Sequence, residues 1–418
     1  MLLVNKCTPG VHKRVTEENM RKLNKTAACG ILAAALAAGT LSGCSKAIDG
    51  TKTVATVGDE KVTLGLASYM VRDQQAQTTS YYNMLMSQYG VSGSASNVWD
   101  QKGDDGKTVG ESSKDGVMTT INQLYVLKAH AADYDVTITD DEEKAIKEAA
   151  AEFIKDNDEK ILKKLAVSED DIVTYLELVT IRSKMHDPMT ADVDTEVSAN
   201  EKDQTRVTIV KVSTEGTEKD DDGNTIDLTD EEKAQKKDLA QQVLDKVKAS
   251  DDVANADIDA LAKEVDDSLS ATTPAFTTAG STDDTLDEAV QDAALELKDG
   301  EVADSVIEGD DGYYVVRLDK MLDEDATENK EKTVISERKS DLFDSTLEDW
   351  VKEEKIKVKD KVWDQITVTD SVSFVYKSAD SSDDTESSDA QDSTEDTSSQ
   401  DNSEDTTTED TAAEDSAE

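Results

Sequence analysis

The chain has 418 residues, and its 94 Asp and Glu against 45 Lys and Arg give a net charge of −49. A field of that sign repels phosphate backbones and so excludes nucleic acid as a partner, while it favours cationic or unfolded basic polypeptides. Only three cysteines and three histidines are present, too few and too scattered for a disulfide framework or a metal cage.

Residues 1–19 fit neither a signal nor a domain, and Met20-Arg21-Lys22 reads as the expected start. A small-residue apolar run, Ala27–Leu41, follows Arg21, Lys22 and Lys25 and ends in Leu41-Ser42-Gly43-Cys44. A basic segment, a short apolar segment and small residues before a cysteine predict a lipoprotein export signal, with cleavage before Cys44 and lipid on its sulfur. The run is shorter than the ~20 residues that a spanning helix needs. Cleavage removes Cys7 and Cys29 and leaves no cysteine pair. It also removes six Lys/Arg and two Asp/Glu, so the remaining chain carries −53; without the sixteen acids of residues 378–418 that becomes −37.

Residues 44–53 read as a tether. Val54–Leu64 alternates apolar and polar residues about Gly58-Asp59-Glu60, which predicts a β-hairpin leading into a helix. That helix places Leu66, Tyr69, Met70, Tyr81, Met84 and Leu85 on one stripe and ends at Gly90. Met70, Met84, Met86 and the nearby tyrosines suit either a core stripe or an adaptable surface for clients. Residues 91–115 read as a loop anchored by Trp99. Three further helices are expected. The first carries Val117, Ile121, Leu124, Leu127 and Ala131 inward, the second opens at Thr139-x-x-Glu142, and the third opens at Ser168-x-x-Asp171 and ends at His186-Asp187-Pro188. His130 and His186 stand apart, with no cysteine or carboxylate spacing around them, so no metal site and no cofactor are expected.

Strand periodicity begins at Val207–Val212 and runs into an acidic loop. Asp220, Asp222, Asn224 and Glu231 have calcium-loop spacing, but Thr225 stands where the turn needs glycine, so a polar turn is expected. Thr229-x-x-Glu232 caps a helix with Leu239, Val243 and Val247 on one face, and Ile258–Glu264 forms another. Pro274–Gly280 contributes Phe276. Leu286–Leu318 then reads as a helix with Ala289, Val290, Ala293, Ala294 and Leu297, a stop at Lys298-Asp299-Gly300, and two strands, Val302–Ile307 and Tyr313–Leu318. A long amphipathic helix from Val334 to Val351 needs a partner for Phe343 and Trp350. Ile356–Val358 and Val362–Ile366 look strand-like, and residues 378–418 have the composition of a disordered acidic tail.

Three of these stretches carry a family resemblance. Leu297-Lys298-Asp299-Gly300-Glu301 and Gly312-Tyr313-Tyr314 resemble the closing half of a parvulin-type peptidyl-prolyl isomerase domain, and Ile258–Glu264 is similar to that family's Leu-Ala-Lys-Glu helix. Val54–Leu64 directly after the cysteine signal resembles the opening of SurA- and PrsA-type foldases. The resemblance implies an α+β chain. It implies a mostly helical chaperone lobe built from both chain ends (54–200 and 323–377), with a parvulin-like α/β domain (201–322) inserted between them. It also implies a lipid-anchored, extracytoplasmic foldase whose partners are unfolded exported proteins. The family's histidines are missing from the Val207–Val212 strand and from Tyr314, and its Gly-rich segment before Leu286 is absent. Catalytic residues are therefore not assigned; Ile209, Phe276, Tyr313 and Tyr314 are the groove candidates. An active isomerase and a surface lipoprotein binding a wall polymer or solute are the alternatives.

Overall fold

A computed structural model describes residues 36–41, 48–88, 98–216, 225–279 and 286–376. Cys44, most of the acidic loop and residues 378–418 lie outside the described residues. Strand β1 (Leu36–Leu41) comes first. The expected hairpin follows as β2 (Thr53–Val57) and β3 (Glu60–Thr63), turning at Gly58, whose φ of 56° is the left-handed conformation that side chains resist. Helix α1 (Leu64–Gln88) starts at once, followed by α2 (Val109–His130), α3 (Asp140–Asp156), α4 (Glu159–Leu165) and α5 (Glu169–Met189).

Capping boxes open three of these helices, at Thr108 with Glu111, Thr139 with Glu142, and Ser168 with Asp171. Each such cap contributes about 1 kcal/mol. The first box explains why the loop expected at 91–115 ends early: a Gly/Ser-rich composition conceals a complete helix start at Thr108. Pro188 falls in the last turn of α5, so that helix runs on to Met189.

After α6 (Ala199–Lys202) the chain enters β4 (Gln204–Ser213), then α7 (Asp230–Lys248), α8 (Ile258–Lys263), β5 (Ala271–Thr272), β6 (Ala275–Thr277), α9 (Glu288–Leu295), β7 (Ile307–Glu308) and β8 (Gly312–Lys320). Strand β4 pairs antiparallel with β8 along its length, Ile209 opposite Val316 and Lys211 opposite Tyr314; β5 and β6 flank β4, and β7 flanks β8. The strand expected over Val302–Ile307 is mostly irregular. Val302 makes one isolated bridge to Arg317, and the exposed Asp304-Ser305 pair breaks the alternation before β7.

Helix α10 (Glu324–Glu353) is thirty residues long and begins ten residues ahead of Val334, where the Asp323 carboxylate caps Ala326 N–H at 2.7 Å. Next come β9 (Ile356–Val358), α11 (Asp360–Trp363) and β10 (Val372–Tyr376). Residues 362–366 thus begin in a helical turn and not in a strand. Trp363 and Ile366 are both buried, a spacing of three that a helix puts on one side and a strand on two. Strand β9 adds to the free edge of β2, with Ala55 opposite Val358, and β10 pairs antiparallel with β1.

The cores follow from this topology. One apolar cluster joins α1–α5 with Phe343 and Leu347 of α10 and with Trp363, Ile366, Val368 and Phe374, so both chain ends build a single lobe. The middle sheet separates two smaller clusters: Val210, Val212, Tyr313 and Val315 pack with α7 and α8, while Val207, Ile209, Tyr314, Val316 and Leu318 pack with α9. No described helix is long and apolar enough to cross a membrane.

Candidate functional site

Residue alternation in a strand decides what each face of the middle sheet can offer. Ile209 and Tyr314 fall on one face together with Phe276, whereas Tyr313 points to the other, beneath α7, where Lys237 lies 5.5 Å from its ring centre. Three of the four groove candidates therefore meet, and Tyr313 does not join them. This chain reads Gly312-Tyr313-Tyr314 where the resembled family has a histidine last, and the sequence alone did not say which tyrosine turns to which face.

The shared face is filled. Ile209, Phe276 and Tyr314 are 7%, 3% and 4% exposed, packed with Leu286, Val290, Ala294 and Ala303. Gly309 is needed where the loop before β8 crosses this face, since a Cβ there would come within 2.8 Å of the Tyr314 ring. The Tyr314 hydroxyl donates to Asp311 Oδ1, and Lys211 Nζ donates to Asp311 Oδ2 at 2.5 Å. Lys211 and the Tyr314 hydroxyl hold the Asp311 carboxyl below the usual carboxylate range. Burial, reinforced by Asp311, pushes Tyr314 well above the ordinary phenol value. At neutral pH the trio is thus an ion pair with a neutral phenol donor. It offers neither a general base nor a nucleophile, and it contains no imidazole.

A different surface forms along α1. Its first half is core: Leu64, Leu66, Tyr69, Met70 and Val71 are buried, with Tyr69 edge-on to Phe153 and to Tyr175 at 5.4 and 5.0 Å between ring centres. Its last two turns are not. Tyr81, Met84 and Met86 are 52%, 61% and 38% exposed, so the expected stripe divides, with Met70 in the core and Met84 and Met86 outside it.

Between the two halves sits a buried polar group that the sequence reading missed. Arg72 Nη1 donates to Thr367 O at 2.9 Å and to Gln75 Oε1 at 3.0 Å, and its guanidinium lies 4.9 Å from the centre of the Phe374 ring. Burial lowers the Arg72 pKa to about 10. Gln75 Nε2 donates to Val372 O at 2.7 Å, and the Tyr376 hydroxyl donates to Asp73 Oδ1 at 2.9 Å. Desolvation raises the Asp73 carboxyl above the usual range, against the opposing hydrogen bonds from Tyr376 and Gln77. These contacts fasten β10 to α1. The available signal was the alternating Val372-Ser373-Phe374-Val375-Tyr376, a strand pattern standing directly before the acidic tail.

The other expected sites are quickly placed. His130 stacks on Trp350 with ring centres 4.1 Å apart and its Nδ1 lies 3.1 Å from Asp133 Oδ2, while His186 lies 5.5 Å from the Phe343 ring. Among the described residues no three His, Cys, Asp or Glu side chains converge to hold a metal.

The family model of the PPIC-type PPIASE domain, Rotamase_2, matches residues 219–331, which begin just after β4 and end within α10. No curated protein sequence matches the chain. Among solved structures, the foldase protein PrsA of Streptococcus pneumoniae is 18% identical, with 63% of this chain and 97% of that one covered at a TM-score of 0.24. The peptidylprolyl isomerase PrsA of Bacillus cereus is 17% identical, with 63% and 94% covered at 0.28. A SurA-like chaperone of Campylobacter jejuni is 10% identical, with 73% and 99% covered at 0.24. Residues 219–331 thus match the PPIC-type, parvulin-like domain, in a chain similar to PrsA- and SurA-like foldases.

Proposed function

We propose that this protein is an extracytoplasmic, lipid-anchored foldase that holds unfolded exported polypeptides, and that its parvulin-like domain keeps the frame of an isomerase while having lost most of the catalysis. The observation that carries this reading is the filled sheet face. Rotation about an X-Pro bond meets a barrier of ~18–20 kcal/mol, and lowering it takes a dry groove that grips proline and twists the amide. Here the side chains that would line such a groove pack against one another, and Tyr314 spends its hydroxyl on Asp311. The exposed Tyr81, Met84 and Met86 support a client-holding role, since thioethers adapt to irregular apolar chains. The Leu41-Ser42-Gly43-Cys44 pattern supports the anchor.

Two assays test this. The protein should suppress aggregation of an unfolded exported client at near-stoichiometric ratios, and it should leave the rate of a proline-limited refolding reaction unchanged. The match of residues 219–331 to an isomerase family favours a second reading, an active enzyme. A refolding rate that rises with added protein and is abolished by Phe276→Ala would establish that reading instead. For the anchor, Cys44→Ala should be released unlipidated; intact lipid labelling of that variant would overturn it.

A further inference from the structure

Strand β1 lies upstream of Cys44, within the segment that the export signal predicts to be removed, and yet it is built into the end lobe. We propose that cleavage before Cys44 vacates the edge of β10, and that the vacated edge seats an extended, uncharged apolar segment of an unfolded polypeptide. Until then Leu36–Leu41 is its internal stand-in. The inference rests on the processing part of the function proposed above.

The seat has three built parts. The first is the strand edge: β10 pairs with β1 from Tyr376 opposite Leu36 to Val372 opposite Leu41, and among the described residues it has no other strand partner. Removing β1 strips the backbone N–H and C=O groups of that edge of their partners, which leaves a template for another chain. The second is Asn157, 6% exposed. Its Oδ1 accepts Leu36 N–H at 2.9 Å while its Nδ2 donates to Phe153 O at 2.8 Å, so the amide is pinned with its acceptor aimed at the incoming backbone. Loss of the leader takes away that acceptor's partner, and a new backbone N–H can replace it. The third is an apolar recess: Leu36 is 3% exposed and belongs to the lobe's core.

The platform does not depend on β1 to stay in place. Phe374 is 1% exposed under the Arg72 guanidinium, Gln75 holds Val372 O, and Tyr376 holds Asp73, all from the α1 side. The chemistry of the occupant follows from the stand-in, Leu-Ala-Ala-Gly-Thr-Leu, which is uncharged and bonds through its backbone. Pairing of that kind is tolerant of sequence and demands an extended chain with unpaired amides, which unfolded polypeptides present and folded ones do not. A second copy is disfavoured, because each processed chain carries −53 and sixteen of its acids follow β10 within residues 378–418.

A fluorescein-labelled peptide of residues 34–43 tests the seat against two soluble chains, residues 44–418 with Cys44→Ser and residues 36–418 with the same change. The peptide should bind the shorter chain and bind the longer one at least tenfold more weakly. Asn157→Ala in the shorter chain should weaken binding about tenfold. If the shorter chain is unstable alone, the peptide should raise its melting temperature. Equal binding to both chains, no binding and no thermal shift with the shorter one, or a dimer of the shorter chain that the peptide does not dissociate would each overturn the seat. The intact mass of the exported protein addresses the leader separately: retention of Leu36 overturns the vacating step and leaves the peptide result standing.

Discussion

The middle domain and the end lobe solve the burial problem in opposite ways. In the middle domain one sheet is covered on both faces, so that neighbouring residues such as Tyr313 and Tyr314 enter separate cores, and charges there are paired, as Lys211 is with Asp311 and Arg206 with Asp323 at 2.5 Å. In the end lobe apolar side chains at the end of α1 are left in the open, and charged groups, Arg72 and Asp73, are drawn into poorly solvated surroundings. The closed region suits a scaffold. The region with exposed apolar surface and a borrowed strand suits an interaction partner.

The largest expected effect tests whether α10 belongs to the end lobe. Phe343 is 5% exposed in the shared core, so Phe343→Ala should cost about 3–5 kcal/mol in urea unfolding. An unchanged midpoint would detach the C-terminal helix from that core. Trp350, on the same stripe, is only half-buried and lies stacked on His130. Trp350→Ala should therefore cost less, about 1–2 kcal/mol, below the range for buried aromatic residues.

Acid should separate the two regions by sign. Asp311 is held low, so its pairing stabilises the fold above the unfolded value of 3.8 and that contribution is lost as pH falls through the lower folded value. Asp73 is held high, so its contribution is full below 3.8 and is lost as pH rises through its folded value. At pH 7 Asp311→Asn should melt below the wild type and Asp73→Asn above it, and both gaps should close in acid. Two gaps of the same sign would refute the contrast. The smallest effect on stability belongs to the exposed turn: Met84→Ser with Met86→Ser should change stability by no more than about 0.5 kcal/mol while reducing aggregation suppression. Unimpaired suppression would move the client surface elsewhere.

Much of this was legible in the sequence. Capping boxes and strand alternation gave the hairpin, α3, α5, α7 and β4, because those signals act within a few residues. What escaped was set by distant partners. The exposure of Tyr81 and Met84 depends on where the helices packed on α1 end. The 360–366 segment turns helical to bring Trp363 and Ile366 to one side. Strand β10 needed Arg72, Gln75 and β1, nearly three hundred residues upstream or more. The parvulin-like motif located the sheet, but the packing of α9 over Tyr314 lay in no motif.

Helix α10 is one uninterrupted rod, about 45 Å at 1.5 Å per residue. Near its start Thr327 Oγ1 accepts Gln204 N–H at 3.0 Å and Glu331 meets Lys202; Arg338 reaches Glu201 at 2.5 Å, and farther along Phe343 and Leu347 enter the other core. Each residue advances the helix by about 100°, so the two sets of contacts are locked in angular phase. One residue inserted after Lys339 would swing Phe343 and Leu347 a quarter-turn out of their sockets or drag the middle domain around with them. Seven inserted residues would return the faces to within about 20° and lengthen the spacing by about 10 Å. Between these two regions the chain can therefore accept length changes in whole heptads far more readily than single insertions.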